Sequence, residues 1–315
     1  MEYIQLIGGL LALVLGGEFL VRGAVSIALR IKLSPLVVGM TIVSFGTSAP
    51  ELLVSLEAVL SGHPDVSVGA VVGSNISNLA LVLGITVLIF PIMVNRDSIR
   101  FDWPLMFLAT ILFWLFAMNG VLDSWEGILM LFILISYSTW LIVKSRKEGK
   151  IIQQEEEVAE ISKGRTIFID VFYLVLGFAG LYFGAEWLLH AVVTLANEFG
   201  VSEKLISVSI VAFGTSLPEL VTSAVAAYRK HTDISMGNLI GSNVFNILAI
   251  LGITSLVVPI QISSEINQLD MYFLLAISIL ILPIMLFRRR IGLWKGLLLI
   301  SFYGIYIYFS IVSEI

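Results

Sequence analysis

The chain has 315 residues, 58% of them hydrophobic and only 13% charged, with a mean hydropathy of +1.00. Soluble domains are about 45–50% apolar, so this composition excludes a soluble globular protein and indicates a polytopic membrane protein. The net charge of −5 carries no partner meaning, since the acidic residues fall in loops and a few intramembrane positions, and the absence of cysteine removes disulfides and thiolate metal chemistry.

Apolar stretches long enough to span a bilayer are predicted at 3–29, 34–60, 66–91, 103–119 and 125–143. Five more follow at 167–192, 203–227, 235–259, 271–287 and 293–312. The first is too long, and too plainly part of an internal repeat, to read as a cleaved signal peptide. With the amino terminus outside, the cytoplasmic loops hold 16 of the 18 basic residues, the exceptions being Arg22 within the first span and Lys204. That bias supports ten spans with both termini outside. Arg22 is expected to snorkel toward the cytoplasm. The acidic run in 144–165 reads as a solvated linker.

Two stretches repeat at an offset of 168 residues. Gly46-Thr47-Ser48-Ala49-Pro50-Glu51 returns as Gly214-Thr215-Ser216-Leu217-Pro218-Glu219, and Gly73-Ser74-Asn75-Ile76-Ser77-Asn78 as Gly241-Ser242-Asn243-Val244-Phe245-Asn246. The same offset carries Glu18 onto Glu186, Gly84 onto Gly252 and Pro91 onto Pro259. The chain is therefore one duplicated unit. Five spans per copy is odd, so the second copy must enter the membrane upside down. The expected fold is an all-α integral membrane protein of ten helices, with a first five-helix repeat at 1–143, a cytoplasmic linker at 144–165 and an inverted repeat at 166–315. Sites in such architectures lie near the bilayer midplane on interrupted helices.

Glu51 lies roughly 25 Å along the second span, near mid-membrane. A lone carboxylate there costs on the order of 2.5–3.5 kcal/mol on insertion scales, and this chain accepts the cost twice, at Glu51 and Glu219. Pro50 and Pro218 each remove a backbone donor and free carbonyls one turn back, around Ser44 to Gly46 and Ala212 to Gly214. Freed carbonyls beside carboxylates suit a cation. Ser74 and Asn78 share one helix face, as do Ser242 and Asn246. Thr47, Ser48, Thr215 and Ser216 add hydroxyls. An all-oxygen set with two formal charges favours hard cations such as Ca²⁺ or Na⁺ over zinc, copper or iron. Gly69, Gly73, Gly237 and Gly241 read as ordinary close-packing positions. Glu18 and Glu186 read as structural or helix-sliding residues, and the three histidines as loop or helix-end residues. No His-Glu-Xaa-Xaa-His, Gly-Xaa-Ser-Xaa-Gly or phosphate-binding loop is present, which argues against an enzyme.

These paired motifs resemble the calcium/cation antiporter superfamily, most closely the prokaryotic sodium/calcium exchangers, over essentially the whole chain. The resemblance implies a ten-helix fold in which helices one and six slide across an eight-helix core. It implies Glu51 and Glu219 as shared ion ligands. Thr47, Thr215, Ser74, Ser242 and the carbonyls of Ser44 and Ala212 would complete flanking Na⁺ sites and a central Ca²⁺ site. Ser48 and Ser216 would be further ligands or supports, and Asn78 and Asn246 would take central positions. Many members carry aspartate where Asn246 stands, which argues against K⁺ cotransport here. The Gly-Asn-Ala-Xaa-Glu signature of the cation/proton branch is absent. The expected activity is electrogenic Na⁺/Ca²⁺ antiport in the plasma membrane, with Ca²⁺ and Na⁺ as transported ions, no cofactor, no nucleic acid and no obligatory protein partner. A Ca²⁺/H⁺ antiporter using the same glutamates is the alternative, and a passive cation channel a weaker one.

Overall fold

The structure is a computed structural model and describes residues 2–148, 166–198, 214–262 and 269–313. In hydrocarbon each backbone polar group must be satisfied within its own segment, and the described chain is accordingly almost entirely helical. The first half comprises α1 (Glu2–Arg30), α2 (Pro35–Val38), α3 (Ser44–Thr47), α4 (Ala49–Leu60), α5 (Pro64–Ser77), α6 (Leu83–Ile89), α7 (Trp103–Ala117) and α8 (Ser124–Glu148). The second comprises α9 (Ile167–Glu198), α10 (Leu217–Tyr228), α11 (Thr232–Phe245), α12 (Gly252–Val257), α13 (Leu269–Leu286) and α14 (Leu293–Ser313). Four two-residue strands cap the ends: β1 (Ile92–Met93), β2 (Val121–Leu122), β3 (Ile260–Gln261) and β4 (Arg290–Ile291).

Among the described residues, eight helices are long and apolar enough to cross a membrane, and a bent pair, Pro35–Thr47 with Ala49–Leu60, makes a ninth. The expected seventh span, 203–227, begins outside the described residues and is seen from Gly214 through α10. The linker from 149 onward also lies outside them.

Neither of the two central spans is a simple α-helix. α5 widens into a π-helical turn at Asn78–Val82 before α6, and α11 into one at Asn246–Leu251 before α12. Each π turn starts at a candidate site asparagine. Both spans end where a residue precedes proline: Phe90 (φ −148°) before Pro91 and Val258 (φ −147°) before Pro259 are extended, as clash with the proline ring requires. These two spans are 72% and 78% buried inside the protein, against 22–39% for the rest, so they form the centre and the other spans turn apolar faces outward.

The halves engage each other reciprocally. β1 pairs with β4 and β3 with β2, so each hairpin-like clasp joins one strand from either half. A Cβ on Gly127 of α8 would meet the Gly252 carbonyl at 2.6 Å, and one on Gly296 of α14 would meet the Gly84 carbonyl at 2.9 Å, giving two equivalent α8·α12 and α14·α6 contacts. The two longest helices, α1 and α9, touch backbone to backbone. A Cβ on Gly16 would lie 2.7 Å from Leu181 N, and one on Gly177 2.6 Å from Leu20 N, the close approach that small residues permit in membranes. Arg30 of α1 also donates to Asp170 of α9 at 2.7 Å.

Candidate functional site

Two helix breaks meet at the centre. The second span stops at Ser48 (φ −91°, ψ 3°) and resumes as α4 after a 43° bend; Ser216 (φ −86°, ψ 3°) precedes α10 in the same conformation. Pro50 and Pro218 stand in the first turns of α4 and α10, and lacking N–H they leave the carbonyls of Gly46 and Gly214 without their helical donors. Glu51 and Glu219 sit in the same first turns, at the positive ends of the helix dipoles, where a carboxylate is least costly. They are 3% and 0% exposed and lie within Coulombic reach of each other.

The carboxylates are short of partners. Both oxygens of Glu51 and Oε2 of Glu219 are buried with no hydrogen-bond partner among the described residues. Glu219 Oε1 accepts from the Ser48 hydroxyl at 3.1 Å, a bond that joins the two halves across the site. Asn78 and Asn246 are fully buried with both amide ends unpartnered, as is the Ser216 hydroxyl. A buried unpaired polar atom costs about 1–3 kcal/mol, so these groups are candidates to hold a ligand. The donors are all oxygen, except for the asparagine NH₂ groups, and Glu51 and Glu219 supply two charges. That chemistry fits Ca²⁺ and Na⁺.

α11 provides the opposing wall. Thr47 Oγ1 lies 3.1 Å from Asn238 Oδ1 and 3.4 Å from Ser242 Oγ, so α3 and α11 meet through hydroxyls and an amide. Ser74 is 3% exposed. The glycines of α11 make this approach possible: a Cβ on Gly237 would lie 2.5 Å from the Leu36 carbonyl, and one on Gly241 would lie 2.7 Å from Met40 Cα.

Several expected residues stand differently from their sequence reading. The Ser44 carbonyl is not freed by the proline, because Ser48 N donates to it at 2.9 Å and the Thr47 hydroxyl lies 3.4 Å from it. The Ser44 hydroxyl is spent on the carbonyls of Gly39 (2.7 Å) and Asn238 (3.2 Å). Thr215 is half-buried, and Ala212 lies outside the described residues. Arg22 donates to Glu18 at 2.6 Å, and Arg229 of the α10 C-terminus reaches the same carboxylate at 2.6 Å. Glu18 therefore ties α1 to α10 and to Arg22. His63 and His231 occupy matched positions just before α5 and α11. Asn238 escaped the sequence reading because its repeat partner is Ala70, and attention to repeated residues passes over a position that differs between copies.

A membrane-embedded, all-helical chain with paired broken helices and an acidic, all-oxygen centre belongs to the class of cation carriers. The model of the sodium/calcium exchanger protein family matches residues 1–143 and 169–312, and the chain belongs to that family, within the calcium/cation antiporter superfamily. The putative antiporter CaxA of Alkalimonas amylolytica is 36% identical over 310 residues, covering 96% of this chain and 97% of that protein. The sodium/calcium exchanger MaX1 of Methanosarcina acetivorans is 30% identical, covering 96% of each. The solved structure of the sodium-calcium exchanger NCX_Mj soaked with zero Na⁺ and Ca²⁺ superposes with a TM-score of 0.84 at 30% identity, covering 98% of both chains. These relatives are exchangers and antiporters by name, which supports a transport role and not an enzymatic one.

Proposed function

We propose that the protein is an electrogenic Na⁺/Ca²⁺ antiporter of the plasma membrane that works by alternating access. The observation that carries this reading is the pair of buried, partner-poor carboxylates, Glu51 and Glu219, at matched helix breaks. Na⁺ and Ca²⁺ compete for them, and that competition is the coupling. Thr47, Thr215, Ser48, Ser216, Ser74, Ser242, Asn78, Asn246 and the carbonyls of Ser44 and Ala212 complete the seats. Each charge moved through 100 mV is worth about 2.3 kcal/mol, so expelling Ca²⁺ against an inside-negative potential costs roughly 4.6 kcal/mol. Two Na⁺ only cancel that charge; a third adds net inward charge and steepens the gradient.

The accompanying architecture is ten spans in two inverted five-helix repeats, 1–143 and 166–315, joined by a cytoplasmic linker, with both termini outside. The reciprocal strand clasps and the equivalent glycine contacts support a two-fold relation between the halves. The glycine-lined α1·α9 pair suits a unit that slides against the rest.

The test is ⁴⁵Ca²⁺ uptake by purified protein in sealed liposomes, with an outward Na⁺ gradient compared with an outward H⁺ gradient at clamped voltage. Uptake driven by Na⁺ alone is expected. Uptake driven only by H⁺ would move the protein to proton coupling while keeping both glutamates, and a reversal potential indifferent to voltage would remove the third Na⁺.

A further inference from the structure

The two halves of the site are not equivalent, and one of the differences lies on the central wall helices. α11 and the π-helical turn that follows it carry Ser235, Asn238, Ser242 and Asn246 at spacings that place them on one side, and all four are fully buried. In the first half the matching stripe, on α5 and the π-helical turn after it, reads Ser67, Ala70, Ser74 and Asn78. The second position is therefore an amide in one half and a methyl in the other.

The Asn238 amide is held on several sides. Its Nδ2 donates to the Ser223 hydroxyl at 3.0 Å and, more weakly, to the Glu219 carbonyl at 3.5 Å; its Oδ1 accepts from the Thr47 hydroxyl at 3.1 Å. Its own carbonyl accepts from Ser44 at 3.2 Å. The orientation is fixed by chemistry, because a flipped amide would set Oδ1 against the Glu219 carbonyl, acceptor on acceptor. A threonine hydroxyl has one proton and two lone pairs. The Thr47 proton has two acceptors in reach, Asn238 Oδ1 at 3.1 Å and the Ser44 carbonyl at 3.4 Å; on the nearer Asn238 it leaves the lone pairs of Oγ1 for the site, on the side where Ser242 stands 3.4 Å away.

We propose that Asn238 is a positioning residue: by taking the Thr47 proton it turns that hydroxyl into an oxygen donor for a bound cation, and so makes one flank of the site the better Na⁺ seat. The inference rests on the Na⁺/Ca²⁺ reading above. Na⁺, with one charge, draws proportionally more on neutral oxygens than Ca²⁺, which draws chiefly on the two carboxylates. Without Asn238 the Thr47 proton is left to the Ser44 carbonyl, 3.4 Å away and itself a proposed ion seat, or to the site, where it repels a cation. Ala70, at the matching position of the first half, has no polar atom to play this part.

The experiment measures thermal unfolding of the full-length purified protein against increasing Na⁺ or Ca²⁺, since an ion that binds only the folded state raises the midpoint in proportion to its occupancy. In Asn238→Ala the half-saturating Na⁺ concentration is expected to rise about fivefold, the effect of one lost neutral hydrogen bond, while the Ca²⁺ value stays within about twofold. In a Thr47→Val background the same change is expected to have no further effect on Na⁺, because Asn238 acts through the Thr47 hydroxyl. Additive effects in that cycle, or equal losses for Na⁺ and Ca²⁺, would overturn the proposal. Asn238→Asp keeps the acceptor facing Thr47 and should keep the Na⁺ response; if Asn238→Ala does not fold, a fivefold loss in the aspartate variant overturns the proposal by itself. A wild-type protein indifferent to Na⁺ would bring down the exchanger reading, whereas a normal wild type with an unaltered Asn238→Ala response would bring down this inference alone.

Discussion

Replacing Glu51 with glutamine removes one charge and almost nothing else, since both carboxylate oxygens lack partners among the described residues. At about 4 Å and an effective dielectric constant near 20, a unit charge pair is worth roughly 4 kcal/mol, hence about 8 for a divalent ion and about 4 for Na⁺. Desolvation and relaxation reduce both. Even one third of the divalent figure, about 2.7 kcal/mol, corresponds to roughly a hundredfold in affinity, and one third of the Na⁺ figure to about tenfold. Glu51→Gln and Glu219→Gln are therefore expected to weaken Ca²⁺ by about a hundredfold or more, to weaken Na⁺ by about an order of magnitude, and to abolish ⁴⁵Ca²⁺ uptake into liposomes at micromolar Ca²⁺. Equilibrium ⁴⁵Ca²⁺ binding to the purified variants supplies the affinities. The ion-free fold should be at least as stable as wild type, because a neutral amide is cheaper to bury than an unpaired carboxylate. Unchanged Ca²⁺ binding in either variant would refute the site assignment.

Other substitutions separate the structural supports from the ligands. Ser48→Ala deletes the 3.1 Å bond to Glu219 Oε1 and should raise the half-saturating Ca²⁺ concentration by about tenfold, as expected for a hydrogen bond to a charged group, measured in the same binding assay. Arg30→Met should lower the thermal midpoint more than Asp170→Asn does: Asp170 is fully buried and would be stranded, at about 3–5 kcal/mol, whereas Arg30 is 31% exposed and can reach water. Equal losses would contradict that account. Gly16→Val and Gly177→Val drive a side chain into the opposing backbone and should abolish exchange, while Gly304→Ala, with nothing within 4 Å of its added Cβ, should retain wild-type rates in the flux assay.

Much of the site was legible in the sequence because the duplication marks it. Glu51 and Glu219 recur beside prolines, and in a membrane an acidic residue without a basic neighbour stands out from any packing pattern. The helix breaks followed from Pro50 and Pro218, although the kink falls at Ser48, whose N–H still reaches the Ser44 carbonyl. The π-helical turns were not legible: Asn78–Val82 and Asn246–Leu251 are apolar stretches whose residues suit an α-helix equally well, and only packing selects the wider turn. Long-range pairs were also hidden. Nothing in the spacing of Arg30 and Asp170, or of Glu18 and Arg229, says that their helices meet. Asn238 was hidden for the opposite reason to the glutamates, since it is what the copies do not share.

Differences between the copies also carry the strongest argument for inversion. Gly62 turns the chain between α4 and α5 with φ +83°, and at the matching turn between α10 and α11 the residue is Lys230, at φ +65°. Gly120 (φ +81°) is likewise answered by Arg288 and Arg289, at φ +60° and +44°. A left-handed conformation costs a residue with a Cβ about 1–2 kcal/mol, so glycine is the favoured choice on local grounds and the second copy departs from it repeatedly. The buried pair Glu126 and Lys295 follows the same rule. Glu126 accepts from Asp123 N at the start of α8, while Lys295, at the start of α14, donates to the carbonyls of Ile284, Phe287 and Arg290. At these places the backbone framework carries glycine or acid in the first copy and lysine or arginine in the second, whereas Lys32 (φ +58°), at the turn between α1 and α2, is a left-handed lysine of the first copy. Under the inverted arrangement the first set faces outside and the second the cytoplasm, where basic residues fix orientation, and the strain at Lys230 and Arg288 is then the cost of that orientation. Lys230→Gly should consequently raise the thermal midpoint, by relieving about 1 kcal/mol of strain, and a lowered midpoint would show that the lysine is held there by its contacts and not by topology.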